Sequence, residues 1–205
     1  MSVFQARDAQ RAAILTVVAG IADAVGYITM GGVFAANMTG NTVLAGMALS
    51  QHRYVDAWHH LAPLFSFFVG AALSRFLLRL FRSPTAAFLL EASLLGAIGL
   101  LPIRAEAAVL VVAVAMGVQA SAVTHFSGSA ISTVVVTSTL ARTADAALDA
   151  LWPDRLKHTS AVNPRLLALT WIGYLAGAMT GALLPAVVPY PLLVPAALLL
   201  LLLLL

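Results

Sequence analysis

Apolar and polar positions alternate on a coarse scale along this chain, in long apolar runs separated by short polar breaks. Runs over 12–30, 61–81, 84–103, 106–126, 165–187 and 190–205 each hold few charges and are flanked by Arg, Pro or polar residues. A helix that crosses the hydrocarbon core of a bilayer needs roughly 20 mainly apolar residues, so these runs predict spans. Two further segments fit less simply. Residues 33–50 (VFAANMTGNTVLAGMALS) and 130–151 (AISTVVVTSTLARTADAALDAL) are apolar enough to enter a membrane but gather Asn, Thr, Ser and Gly in their first halves. Backbone that leaves the helix at membrane depth persists only where protein or a water-filled cavity surrounds it. Both segments therefore predict broken or half-length helices.

Composition narrows the class. Of 205 residues, 61% are hydrophobic and 9% charged, and the mean hydropathy is +0.98, far from soluble averages. The expectation is an all-α integral membrane protein, a single transmembrane domain over 1–205 with about six transmembrane helices. Six spans use nearly the whole length, so any site must be built from the spans themselves. The net charge of +3 comes from eleven basic residues scattered over interface-like positions, which reads as topology signalling rather than a nucleic-acid surface. The lipid bilayer is the expected partner, with no nucleic acid and no cofactor. The absence of cysteine excludes disulfides, thiolate metal sites and cysteine nucleophiles. The first run is expected to be retained as a span, because Asp23 and Tyr27 stand where a signal-peptide cleavage site wants small neutral residues.

Arg75, Arg79 and Arg82 form the densest positive cluster and are expected on the cytoplasmic side. With Arg7 and Arg11 there as well, residues 33–50 and 130–151 cannot both be full spans. Six spans then put both termini in the cytoplasm, Arg104 and Glu106 outside, and Arg142, Arg155, Lys157 and Arg165 inside. The competing arrangement has eight spans and an external amino terminus.

The chain also resembles itself. Gly20-Ile21-Ala22-Asp23-Ala24 followed by Gly31 parallels Gly117-Val118-Gln119-Ala120-Ser121 followed by Gly128, at a constant offset of 97 positions. Each piece then reaches a polar cluster, Met38-Thr39-Gly40-Asn41-Thr42 in one case and Val136-Thr137-Ser138-Thr139 in the other. Gly70-Ala71 parallels Gly177-Ala178, and Ser83-Pro84 parallels Tyr190-Pro191. The predicted halves are about 12–103 and 106–205. Three full spans in each would give them opposite orientation, the inverted-repeat pattern of many secondary transporters.

Asp23 is the sharpest chemical feature, about twelve residues into the first run, where an unpaired carboxylate costs several kcal/mol. It reads as a proton or cation site, or as a structural carboxylate that caps nearby backbone amides. Asn37, Thr39, Gly40, Asn41 and Thr42 can cap and open a helix beginning near Thr39. A helix start inside the membrane presents free N–H groups to an anionic or polar ligand. Thr137 lies in the matching start of the second half. Against this, Ser and Thr can simply bond back to their own helices and allow close packing. Gln119 and Ser121 lie on the fourth run with Thr124 and His125, and a histidine near a span end more often meets backbone or water than shuttles protons. Glu91 is expected to pair with a basic residue or with Asp23. His52, His59 and His60 lack the spacing of a specific metal site and read as interfacial beside Tyr54 and Trp58. Ser127 or Ser129 with His125 and Asp23 would make a hydrolase triad, but no G-x-S-x-G elbow accompanies them, so the chain is not expected to be an enzyme.

The run Ala19-Gly20-Ile21-Ala22-Asp23-Ala24-Val25-Gly26-Tyr27, then Gly31-Gly32-Val33-Phe34, then Asn37-Met38-Thr39-Gly40-Asn41-Thr42 resembles the YoaK family of small bacterial inner-membrane proteins, a domain-of-unknown-function family. Met116-Gly117-Val118-Gln119-Ala120 and Trp171 through Gly177-Ala178 extend the likeness over most of the chain. The chain departs from the family pattern at Thr137-Ser138, where a second Thr-Gly pair is usual, and at Ala120, where a polar residue such as Asn is often seen. The resemblance implies location and span number rather than an activity. The functional expectation is a secondary transporter or permease for a small polar or anionic solute, with a possible coupling ion. Asp23, Tyr27, Asn37, Thr39, Gly40, Asn41, Thr42, Gln119, Ser121 and Thr137 are its candidate binding residues. The alternative is a membrane scaffold or accessory subunit whose small residues serve only helix packing.

Overall fold

In a computed structural model, residues 3–123 and 164–204, with Ala141, Ala144 and Leu148, are described. Among them lie seven helices: α1 Val3–Thr29, α2 Met38–Ser50, α3 Tyr54–Phe81, α4 Thr85–Leu100, α5 Ala105–Val123, α6 Pro164–Val187 and α7 Leu193–Leu202. No strand occurs among the described residues. Among the described residues, four stretches are long and apolar enough to cross a membrane: Gln10–Thr29, Tyr54–Phe81, Ala105–Val123 and Ala168–Val187. Helices α4 and α7 are shorter and equally apolar. The apolar run predicted from residue 61 is part of a longer helix, because Tyr54 through His60 extend α3 by about two turns.

Chain direction follows from which helix ends meet. The C-terminal ends of α1, α4 and α6 gather with the starts of α5 and α7 around a cavity of about 560 Å³ lined by Val25, Thr29, Ile98, Pro102, Pro185 and Tyr190. His59 Nε2 lies 3.2 Å from the carbonyl of Gly31, which brings the start of α3 to the same end. Helices α1, α4 and α6 therefore run toward this cavity end, and α3, α5 and α7 run away from it. The far end carries the α3–α4 turn with Arg82, one turn beyond Arg79.

The outside of the bundle is as apolar as its inside. Phe65, Phe68, Phe76 and Leu80 of α3 are exposed, as are Ile172, Leu175, Met179 and Leu183 of α6. In water such a surface would be unfavourable; in lipid it is the solvated face. The buried core instead favours small side chains, with Ala19, Ala22, Ala87, Ala113, Ala115 and Ala122 among the most enclosed residues. Without a hydrophobic difference between helix and lipid, association depends on close backbone approach, which small residues permit.

Two helix crossings use that device in the same way. Where α1 meets α6, a Cβ on Gly20 would lie 2.3 Å from the Tyr174 carbonyl oxygen, and one on Gly177 would lie 2.3 Å from the Val17 carbonyl oxygen. Where α3 meets α5, a Cβ on Gly117 would lie 2.0 Å from the Phe67 carbonyl oxygen, and one on Gly70 would lie 2.0 Å from the Val114 carbonyl oxygen. Gly20 and Val17 sit 97 positions before Gly117 and Val114, while Phe67 and Gly70 sit 107 before Tyr174 and Gly177. These are also the two most extensive helix–helix interfaces among the described residues.

Candidate functional site

After α1 the chain reverses through Gly31 and Gly32, whose φ angles of 83° and 74° suit glycine far better than any residue with a Cβ. It then runs back along α1 as an irregular strip, with Val33, Ala35 and Ala36 buried against the helix. Gly26 gives this strip room, since a Cβ there would lie 3.2 Å from the Val33 carbonyl oxygen. At Met38 the chain turns into α2, a helix of 13 residues, and returns toward the start of α3. The expected half-length helix over 33–50 is thus an irregular strip followed by a short helix. The corresponding expectation for 130–151, including Thr137, lies outside the described residues.

Non-helical backbone buried at this depth needs donors and acceptors from the protein itself. Asp23 supplies the acceptor. Its Oδ1 accepts from the amides of Ala36 and Asn37 at 2.5 and 3.2 Å, and its Oδ2 accepts from the Tyr174 hydroxyl of α6. Asn41 closes the strip from the other side, accepting from the Phe34 amide at 3.0 Å and donating through Nδ2 to the Phe34 carbonyl at 2.7 Å. Asn37 is the N-cap of α2, its Oδ1 accepting from the Gly40 amide at 3.1 Å. Asp23 and Asn41 are 3% and 0% exposed, so both exchange water for protein partners rather than for an open cavity.

The remaining candidates spread out around this node. Tyr27 is largely exposed and stacks on Phe34 with ring centroids 4.7 Å apart. Gly40 lies against the same ring, because a Cβ there would be 2.9 Å from the Phe34 Cδ2 atom. Thr39 and Thr42 are on the exposed face of α2, and Thr42 bonds back to the Met38 carbonyl at 2.9 Å. Gln119 is elsewhere: it is buried on α5 and donates to the Leu15 carbonyl of α1 at 2.9 Å. Ser121 is half-buried two residues further along α5. The proposed partners of Ser121 on that run, Thr124 and His125, lie outside the described residues, as do Ser127 and Ser129.

The structure adds one residue that the sequence reading passed over. Tyr174 lies 151 positions from Asp23, so nothing local links them. The available signal was its place three residues before Gly177, the glycine that the internal comparison had already singled out. Glu91 pairs neither with a basic residue nor with Asp23: both carboxylate oxygens are buried without a hydrogen-bond partner.

Residues 11–205 match the family described as "Protein of unknown function (DUF1275)". The chain belongs to the DUF1275 family. Among curated relatives, the UPF0700 transmembrane protein YoaK of Bacillus subtilis (strain 168) is 32% identical over 181 residues, which cover 83% of this chain and 80% of that protein. No solved structure gives a significant match. Family membership and apolar helices together make this DUF1275 chain a helical membrane protein. The motif that carried the likeness to the YoaK family, from Gly20 to Thr42, is the one that folds into the Asp23-pinned strip.

Proposed function

We propose that the chain is a secondary transporter or permease of the bacterial inner membrane for a small polar or anionic solute. In this reading six helices cross the membrane, α1, α3, α4, α5, α6 and α7, while α2 enters and leaves by the cavity end. The observation that carries it is the recurrence of one glycine crossing at α1/α6 and α3/α5, with the residue offsets of the internal repeat. Under those offsets α1 corresponds to α5 and α3 to α6, and the members of each pair run in opposite directions through the bundle. Inverted halves of this kind underlie alternating access, one half rocking against the other.

Within that frame Asp23 is a latch. It belongs to the first half and ties the strip before α2 to Tyr174 in the second half, so a rocking motion must break or carry that bond. The start of α2, with its amides and the side chains of Asn37 and Thr39, is the solute cradle that such a motion uncovers. Both termini and the Arg75–Arg82 cluster lie in the cytoplasm.

A scaffold or accessory subunit is the second reading, favoured by the pairing of the Asp23, Asn37 and Asn41 side chains within the protein and by their absence from the cavity lining. A solute library screened by thermal shift on the purified protein, followed by flux into liposomes, separates the two. Transport predicts a ligand that stabilises the wild type and loses most of that effect in Asp23→Asn, which stays folded because asparagine still accepts from both amides. A folded protein that no solute stabilises and that carries no flux contradicts it.

A further inference from the structure

Among the described residues, the buried polar side chains outside the motif are Thr16, Ser74, Glu91, Gln119 and Thr170. Two of them, Ser74 on α3 and Glu91 on α4, lie at a similar depth on the two arms of the α3–α4 hairpin. Ser74 lies seven residues before the end of α3 and Glu91 six residues after the start of α4, so both sit roughly 10 Å from the turn that joins the helices. Each is 0% exposed, and neither the Ser74 hydroxyl oxygen nor either Glu91 carboxylate oxygen has a hydrogen-bond partner.

Among the described residues, nothing packed around Glu91 supplies a compensating charge. Helix α4 has no other charged residue, and α7, packed against it, has none. On α3, Asp56, His59 and His60 lie near the cavity end, four turns or more from Ser74, while Arg75 and Arg79 are exposed. On α5 the charged residue is Glu106, in the first turn at the cavity end. A carboxylate with no donor and no counter-charge in a spanning helix costs several kcal/mol. Asp23 in the same bundle avoids this cost through three protein donors, and Glu91 has none of them.

We infer that Glu91 is a proton-binding site within the bundle. The carboxyl carries its proton in this packed arrangement. The inference stands on α3, α4 and α5 and holds whether or not the chain moves a solute, so its test is separate from the flux assay.

The test is an infrared titration of the full-length protein in lipid nanodiscs. The wild type is expected to show at neutral pH the carbonyl stretch of a protonated carboxyl in an apolar setting. Glu91→Gln loses that band and Asp23→Asn keeps it. If Glu91→Gln does not yield monodisperse protein, Glu91→Asp makes the assignment, since a shorter acid at the same position moves the band. Absence of the band in the wild type, its persistence in Glu91→Gln, or an unmoved band in Glu91→Asp overturns the inference. Bleaching of the band by sodium at constant pH overturns it too, in favour of a metal cation site.

Discussion

The crossing of α1 with α6 and the crossing of α3 with α5 share their backbone geometry and differ in their polar endowment. Each brings two glycines against the carbonyls of the opposite helix, at positions related by the repeat. At the first crossing Tyr174 reaches Asp23; at the second the corresponding residues are Phe67 and Ala120, which carry no polar side-chain group. Close packing is therefore common to both crossings, while the polar contact is found at one. What the latch holds explains the asymmetry, because Asp23 also anchors the irregular strip before α2. A carboxylate at this depth is the acceptor that buried, non-helical amides require.

The comparison breaks most easily at the glycines. Gly117→Leu and Gly177→Leu are each expected to abolish monodisperse protein on size-exclusion chromatography, since the added atoms meet backbone rather than a mobile side chain. Even Gly20→Ala and Gly70→Ala should cost about 3 kcal/mol or more, at the upper end of overpacking. If one crossing tolerates alanine and the other does not, the two are not equivalent. The next largest effect belongs to the latch. Asp23→Ala leaves two amides and a phenol without an acceptor and should destabilise by roughly 3 kcal/mol in thermal or denaturant unfolding, with Tyr174→Phe costing about 1. Equal effects of these two substitutions would mean that the strip does not depend on Asp23. Asn41→Ala removes both bonds to Phe34 and is expected to cost about 2 kcal/mol, with the loss localised by faster amide exchange over residues 33–37. At the small end, Gly46→Ala and Gly96→Ala should be neutral or stabilising by up to about 1 kcal/mol, because a Cβ at either position meets nothing. They control for glycine replacement as such.

Much of the fold was legible because its driving pattern is local. Apolar runs mark the helices, and Asn37 with Gly40 marks the start of α2 within a residue. The glycines of the two helix crossings were legible as well, singled out by their spacing along the chain. What the chain could not disclose was partnership at long range. Asp23 carried two readings, an ion site or a cap for backbone amides, and the three donors around it lie 13, 14 and 151 positions away. Glu91 was placed in a spanning run, but its isolation depends on which faces of α3, α5 and α7 turn toward it. The extension of α3 back to Tyr54 was hidden by Asp56, His59 and His60, whose polarity masked a helix that continues to the interface.

The central claim, two halves of opposite orientation with α2 returning to the side it entered from, is tested most directly by single-cysteine labelling. The natural chain has no cysteine, so each introduced thiol reports alone. Cysteines at Gln51, Pro102 and Tyr190, all exposed at the cavity end, are expected to react with a membrane-impermeant maleimide in intact cells, while one at Ser83 reacts only after permeabilisation. Labelling of the Gln51 and Pro102 positions from opposite faces would contradict it.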